Sequence, residues 1–390
     1  MTTPDETVLQ LTCDREDLLQ ALQIADAVVP STSSKPILTN IHLIAEAGQL
    51  DILATDQQIG LRAVLRRLSV DQTGSVVVPA RQTVSILRES QSPNVYLRVE
   101  RSSGGNIMHL ELADGDYRVP GISGDSFPEV GGYPAEADSV ILPGIELERM
   151  IRKTIFAVDK ERSSAVLSGL LFKVADGECL LAATDGKVLS EAVFTHDSLT
   201  GVDWQAVVPA STINHLQRVI GASKPDEVAV AVSDRLFCAQ VAVRGRQGEV
   251  VTQVELVSRL VDGHFPSYRN AMPKEPQGTA TFRRDELASA VRRVALMTSN
   301  ASRAIVFELG HDQVILSNLN VTTGSARIPV PCVHDGGDER FGLNSQFLGE
   351  VMRAFDQEEI TWELNGAGRG LIAREPGSTF LLMPITLHSN

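Results

Sequence analysis

Cysteines and aromatic residues are scarce in this sequence, and it has no long apolar run. Of its 390 residues, 4 are cysteines and 5% are aromatic. Cys13, Cys179, Cys238 and Cys332 lie far apart with no CxxC pair, which is typical of reduced, buried thiols and not of a disulfide framework. No stretch reaches the roughly 18 apolar residues of a membrane helix. The N-terminal MTTPDETVLQ lacks the basic and apolar regions of a secretory signal. We therefore expect a cytoplasmic protein without a membrane partner.

Motifs for catalysis and for cofactor binding are also missing. The sequence has no GxxxxGK[ST] loop and no HExxH, and the glycine-rich GAGRG at 366–370 follows no Rossmann pattern. Asp56 and Asp185 recur after apolar strands, but acidic residues are common in turns at such places. We expect no catalytic residue, no metal site and no cofactor, so the protein should not be an enzyme.

Positive charge is in deficit as well. The chain carries 35 Lys and Arg against 49 Asp and Glu, a formal net charge of −14. Proteins that simply coat nucleic acid usually contain a basic domain, so the charge balance argues against this class. A protein whose basic residues are confined to one surface remains compatible with the composition.

What the sequence does contain is a threefold internal repeat. An apolar strand followed by a polar turn occurs at LATDQQ (53–58), AATDGK (182–187) and LSNLNV (316–321). In each copy a later strand, a small polar break and a short amphipathic helix follow, with breaks that start at Pro79, Pro209 and Asn344. The period is about 130 residues, which is the size of a domain and too long for a solenoid unit.

Each repeat reads as helix, strands, turn, strand, helix and strands. This order predicts an α+β fold of three tandem similar domains, with antiparallel sheets outside and two helices per domain inside. Clusters of Pro and Gly at 127–138 and 272–278 place the domains at 1–138, 139–272 and 273–390. Three such domains form an arc, and a head-to-tail partner would close it into a ring of six.

Several motifs resemble one known family over nearly the whole chain. They are KPILTNIHL at 35–43, LATDQQIGL at 53–61, VPAR at 78–81, LSGLLF at 167–172, ATDGKVL at 183–189, LVDGHFPSYRNAMP at 260–273 and MPITL at 383–387. Together with the triple repeat, they resemble the bacterial DNA polymerase III beta subunits, the sliding clamps. The resemblance implies a non-catalytic homodimeric ring that encircles duplex DNA without sequence preference. It also implies a processivity role through tethering of the replicative polymerase, the clamp loader and other proteins with a clamp-binding motif. A three-domain protein-binding scaffold that forms no ring is the alternative.

The resemblance also assigns residues to three surfaces. A pocket for partner peptides is expected from Leu167, Thr184, Gly186, Lys187, Val188, Leu189, Pro266, Asn270, Ala271, Leu381, Leu382, Met383, Pro384, Ile385, Thr386 and Leu387. The residues expected to face DNA are Arg81, Arg149, Arg152, Lys153, Arg162, Arg292 and Arg293. Those expected at the dimer interface are Ile86, Tyr117 and Met297.

Each assignment has a plainer structural alternative. The apolar C-terminal run can be a last strand packed on its own core, the basic helix residues can be solvated, and the interface residues can belong to ordinary cores. The chain also departs from the family pattern. The family often has His-Arg in place of Lys187-Val188, Arg in place of Thr386 and aromatic residues in place of 164–166, and its motif usually ends without the HSN found here. We therefore expect an altered peptide preference and a changed DNA contact.

Overall fold

The computed structural model describes eleven segments of the chain. They are 6–102, 105–134, 139–161, 163–233, 235–245, 248–273, 275–298, 303–319, 324–337, 339–366 and 368–387. These residues group into two compact units, Met1–Glu148 with Ser211–Leu260 (unit 1) and Arg149–Ala210 with Val261–Asn390 (unit 2). Both units combine antiparallel sheets with helices, so the predicted α+β class is confirmed.

The described chain contains six α-helices, two in each repeat as predicted. Their bounds are α1 Arg15–Asp26, α2 Ala80–Glu89, α3 Gly144–Thr154, α4 Ala210–Ser223, α5 Arg284–Ala295 and α6 Ser345–Ala354. The carboxylate of Asp14 begins α1 by accepting the backbone N–H of Glu16 at 2.8 Å, which satisfies an amide that has no partner within the helix. Leu18, Leu22 and Ala25 lie one helical turn apart and are buried, as an amphipathic helix requires.

The strands are short, and many alternate between buried and exposed residues. In chain order they are β1 Glu6–Asp14, β2 Asn40–Glu46, β3 Gln49–Thr55, β4 Ile59–Leu65, β5 Leu68–Gln72, β6 Gly74–Pro79, β7 Asn94–Ser102, β8 Gly105–Leu112, β9 Gly115–Gly121, β10 Ser139–Pro143, β11 Gly169–Ala175, β12 Glu178–Thr184, β13 Val188–Thr195, β14 Trp204–Pro209, β15 Glu227–Ser233, β16 Leu236–Arg244, β17 Val250–Arg259, β18 Gly278–Arg283, β19 Ala304–Leu309, β20 Gln313–Asn318, β21 Arg327–Pro331, β22 Val333–Asp335, β23 Glu339–Asn344, β24 Glu359–Leu364, β25 Leu371–Glu375 and β26 Ser378–Leu382.

In each unit, one sheet runs across a repeat boundary. Unit 1 has a sheet ordered β5-β1-β7-β8-β9 and another ordered β10-β15-β16-β17-β4-β3-β2-β6, in which β17 of the second repeat pairs with β4 of the first. Unit 2 has a sheet ordered β14-β11-β12-β13-β26-β25-β24-β18-β22, in which β26 of the third repeat pairs with β13 of the second, and another ordered β21-β20-β19-β23. The last strand of a repeat thus pairs with the strand that follows the polar turn of the preceding repeat.

The repeated Thr-Asp pairs build the same turn twice. The Thr184 hydroxyl donates to the carbonyl of Val188 at 2.7 Å, and the Asp185 carboxylate accepts the N–H groups of Lys187 and Val188 at 2.8 and 2.9 Å. Gly186 has a φ of 85°, which a side chain would strain. The residues 55–59 form the same bonds in the first repeat. These acids therefore hold turns, which is a common role for acidic residues after a strand.

In unit 1, the buried His42 and the half-buried His215 predict a dependence of stability on pH. Burial lowers the pKa of His42 and of His215 from the ordinary 6.5, and the charge of Arg218 lowers that of His215 further. Above about pH 6.5 both rings are neutral in the folded and unfolded chain, so they add no pH dependence. As the pH falls below this value, the unfolded chain binds protons more readily, so the free energy of unfolding should fall.

Urea unfolding at about pH 7.5 and 5.5 measures this effect. The unfolding midpoint of unit 1 should drop at the lower pH, and the drop should shrink in the His42→Gln/His215→Gln variant. An equal drop in both proteins would contradict the assignment to these histidines and would point to carboxyl groups instead.

Candidate functional site

The C-terminal strand covers an apolar cluster on one face of its sheet. Leu381 lies directly opposite Leu189 in the ladder between β26 and β13, and both are buried together with Ile372. Tyr268 and Met272, from the segment that follows the second repeat, pack against these three side chains. Leu189 and Leu381 were predicted for the pocket, whereas Tyr268, Met272 and Ile372 were not. We call Leu189, Ile372 and Leu381 the apolar cluster.

Beyond β26 the chain continues as an extended segment held by main-chain bonds. The Met383 N–H donates to the Lys187 carbonyl at 2.8 Å, and the Ile385 N–H donates to the Gly342 carbonyl at 2.7 Å. A Cβ atom at Gly342 would lie only 2.9 Å from the Leu387 side chain, so glycine permits this close approach. Met383 is 39% exposed and lies at the end of the strand that carries Leu381.

Two predicted pocket residues face the other side of the sheet. Val188 pairs with Leu382 in the ladder next to the pair of Leu189 and Leu381, and neighbouring residues of a strand point to opposite faces. Val188 and Leu382 are almost completely buried, so they belong to the core of unit 2. Leu189 and Leu381 on the opposite face are buried as well, so the place of all four residues in the partner-peptide pocket stays a prediction.

The other predicted pocket residues are spread around this region. Leu167 is half-buried in a 3-10 turn at Val166–Ser168, and Thr386 is exposed. Pro266 and Asn270 line a cavity of about 460 Å³ beside the apolar cluster, and Pro384 lines a different cavity of about 350 Å³. The side chain of Ala271 lies outside the described residues.

A buried carboxylate secures the turn that covers the apolar cluster. Glu191 accepts hydrogen bonds from the Tyr268 hydroxyl and from the Arg269 Nε atom, the latter at 3.1 Å. Burial raises the pKa of Tyr268 above its ordinary value of 10.0, and the hydrogen bond to Glu191 and its charge raise it further. The Tyr268 hydroxyl therefore stays protonated and remains a donor. Sequence reasoning missed Glu191, because one acid in an apolar strand gives no local signal.

The basic residues predicted to face DNA have different environments. Arg81 in α2 and Arg292 and Arg293 in α5 are exposed. Arg149 in α3 is half-buried and donates to the Val193 carbonyl at 3.1 Å. The remaining predicted residue, Arg162, lies outside the described residues.

Lys153 corrects the predicted DNA-facing set. It is only 1% exposed, and its ammonium group contacts the carboxylates of Glu375 and of Asp356, the latter at 2.8 Å. Burial alone would raise the pKa of Asp356, but the hydrogen bonds and charges of Lys153 and Arg152 outweigh it and hold the pKa below its usual value. The Lys153 ammonium group is thus committed to carboxylates of unit 2. Arg152 is exposed and also binds Asp356, at 3.0 Å.

The three side chains predicted at the dimer interface are exposed to different degrees. Tyr117 on β9 is 37% exposed, and Ile86 and Met297 are half-buried. Leu296, which ends α5, is 79% exposed. Met297 was predicted at the dimer interface and Leu296 was not. The sequence shows two adjacent apolar residues at the end of the helix, but not which of the two faces solvent.

In the part of the chain that the structure describes, few side chains are suited to nucleophilic chemistry or to metal binding. All four cysteines are buried, and burial raises the pKa of Cys13 and Cys179 to about 12. No group of three His, Cys, Asp or Glu residues is placed to hold a metal ion among these residues. None of the described helices has the length and apolarity to cross a membrane.

Comparison with known families explains the triple repeat. Three family models of the DNA polymerase III beta subunit match in order, with the N-terminal domain over 9–130, the central domain over 141–267 and the C-terminal domain over 269–385. The chain belongs to the DNA polymerase III beta subunit family. The predicted organisation into three tandem domains is therefore confirmed.

Individual members of the beta subunit family match over nearly their full length. Curated relatives named beta sliding clamp include those of Synechococcus elongatus, at 26% identity over 98% of this chain and 100% of the relative, and of Pseudomonas aeruginosa, at 26% over 97% and 100%. Among solved structures, the beta subunit of Thermotoga maritima has a TM-score of 0.87 at 21% identity, with 97% of this chain and 100% of that chain covered. A Pseudomonas aeruginosa sliding clamp bound to griselimycin has a TM-score of 0.85 at 23% identity, with the same coverage.

Proposed function

We propose that this protein is a DNA sliding clamp that acts as a non-catalytic processivity factor. As a head-to-tail homodimer it forms a six-domain ring around duplex DNA and tethers the replicative polymerase, the clamp loader and other proteins that carry a clamp-binding motif. Membership of the beta subunit family over the whole chain supports this proposal most strongly. We place its domains at 1–138, 139–272 and 273–390.

The order of strands supports closure by a second copy. Within the chain, β17 pairs with β4 and β26 pairs with β13, each joining the last strand of a repeat to the strand after a polar turn. By the same rule, β9, the last strand of the first repeat, should pair with β21, the strand after the polar turn of the third repeat. In the described residues, each of them is the outermost strand of its sheet. Unpaired edges invite pairing with another chain. Two copies arranged head to tail would pair β9 of each with β21 of the other and close the assembly.

The distribution of charge suits a ring that slides. Arg81, Arg292 and Arg293 are exposed and can attract phosphates without reading sequence. The net charge of −14 would oppose tight general binding. Retention then comes from enclosure of the duplex, so few cations suffice and sliding is not hindered.

Retention on circular DNA tests the ring. The protein is placed on a nicked circle by a clamp loader, washed with about 1 M salt, which reduces the screening length to about 3 Å, and then released by a restriction enzyme. We expect the protein to survive the salt wash and to leave only after the circle is cut. Release by salt from an intact circle would favour the alternative scaffold that forms no ring.

We place the partner-peptide site around the apolar cluster and Met383. The exposed part of Met383 offers an adaptable apolar surface next to the buried cluster, and methionine accommodates ligands of different shape. Met383→Ala should weaken a partner peptide by about tenfold, near the threshold of a binding hot spot. The melting temperature should change little, because Met383 is partly exposed. Fluorescence anisotropy with a labelled partner peptide measures the affinity, and unchanged affinity would remove Met383 from the site.

A further inference from the structure

Glu191 is an unusual residue for its place. It follows Leu189 by two positions on β13, so its side chain points to the face that carries the apolar cluster. It is 9% exposed. Burying a carboxylate is costly unless it is paired and hydrogen-bonded. The cluster alone would be served better by an apolar side chain, so the carboxylate calls for an explanation.

The partners of Glu191 belong to the turn that covers the cluster. The Tyr268 hydroxyl and the Arg269 guanidinium donate to the same Glu191 oxygen, Oε2, and both residues lie in the 3-10 turn Tyr268–Ala271. Tyr268 also meets Phe265 edge to face, with ring centroids 6.0 Å apart. A single carboxylate therefore connects β13 to a short turn that has few other anchors in the part of unit 2 described.

The turn contributes to two surfaces. Tyr268 packs against the apolar cluster. Residues 265–270 also line the cavity of about 460 Å³, together with strands β11 and β12. A shift of Tyr268 would change both surfaces at once. A wall that is fixed before a ligand arrives spares the ligand the cost of ordering it.

We propose that Glu191 is a positioning residue for partner binding, which holds Tyr268 and Arg269 so that their turn presents a preformed wall to the apolar side chain of a partner peptide. The inference rests on the peptide site proposed above. Glu191 acts through Tyr268 and does not itself contact the peptide. Loss of the carboxylate should therefore raise the dissociation rate while the apolar cluster stays intact.

A double-mutant cycle tests this coupling. The probe is a fluorescein-labelled peptide with two adjacent leucines in polar flanks, measured by anisotropy against wild type, Glu191→Leu, Tyr268→Phe and the double variant. Each single variant should weaken binding by about tenfold, and the double variant should be no weaker than the worse single variant, because both changes break one connection. Glu191→Gln keeps an acceptor for Tyr268 and should recover most of the affinity. Glu359→Gln, an exposed carboxylate on β24 of the same sheet that lines neither the cavity nor the apolar cluster, is the matched control and should bind as wild type does.

Stability measurements separate positioning from a structural role. Leucine has a volume close to that of glutamate, and the exposed Arg269 can be solvated once the carboxylate is gone, but the Tyr268 hydroxyl loses its acceptor. Glu191→Leu should therefore melt at or slightly below the wild-type temperature, while its affinity for the peptide, measured well below that temperature, falls about tenfold. Wild-type affinity in Glu191→Leu, or losses that multiply in the double variant, would overturn the inference. Failure of the wild type to bind any form of the peptide would instead overturn the proposed peptide site.

Discussion

Glu375→Ala is expected to destabilise unit 2 by about 3–5 kcal/mol, which is the usual cost of leaving a buried charge without its partner. The Lys153 ammonium contacts the Glu375 carboxylate, and both side chains are 2% exposed. The second oxygen of Glu375 accepts the N–H of Asp356 at 2.8 Å, so the variant also leaves this partly buried amide without its acceptor. Asp356 is half exposed and compensates only in part.

Two further variants define the origin of this loss. Glu363→Ala breaks an ion pair with Arg374 that is 3.0 Å long but more exposed, so it should cost less than about 1 kcal/mol. The double variant Lys153→Met/Glu375→Leu replaces the buried pair with apolar side chains and should recover most of the stability. Urea unfolding followed by fluorescence measures all three. A loss for Glu375→Ala as small as that for Glu363→Ala would show that Lys153 finds another partner.

Leu296→Asp is expected to separate the proposed homodimer into single chains. Leu296, directly after α5, is 79% exposed in the single chain. Burial of such a side chain in an interface stabilises the interface by about 2 kcal/mol. A closed head-to-tail dimer contains two identical interfaces, so one substitution acts twice. The combined loss of about 4 kcal/mol corresponds to roughly a thousandfold weaker dimer.

Light scattering at micromolar concentration measures this change as a fall from the mass of two chains to that of one. The matched control is Ile145→Asp, because Ile145 in α3 is 76% exposed but lies outside the predicted interface. It should leave the mass unchanged. A dimeric Leu296→Asp variant would contradict the interface, and separation by Ile145→Asp as well would indicate a general effect of added charge. The separated chain should also be lost from circular DNA in the retention experiment.

The features that the sequence predicts well are those with a local pattern. The first two polar turns, the two helices of each repeat and the apolar C-terminal strand follow from residue types at fixed spacing, and the structure contains them. The third polar turn extends beyond the described residues. The partners of buried charges do not follow in this way. In the sequence pattern, Lys153 lies off the apolar stripe of its helix, as an exposed basic residue does. Its partner Glu375 is 222 residues away in sequence. Glu191 likewise meets Arg269 from 78 residues away.

The direction in which apolar residues point was also only partly predictable. A run such as FLLMPITL indicates a strand, but the sequence does not say which of Leu381 and Leu382 faces the apolar cluster. That choice depends on the register with β13, which is set by pairing across a repeat boundary. Leu296 illustrates the same limit in a helix, because its exposure depends on what covers α5 and not on spacing.

The pairing of β4 with β17 has a consequence for synthesis of the chain. Strand β4 ends at Leu65, but the strand that covers its edge is complete only at Arg259. At about 5–20 residues per second, the ribosome needs roughly 10–40 s to make the intervening 190 or so residues. During that time an apolar strand edge, which is prone to aggregation, is open to other nascent chains. We therefore expect fragments that stop before Val250 to aggregate under conditions in which the whole chain folds.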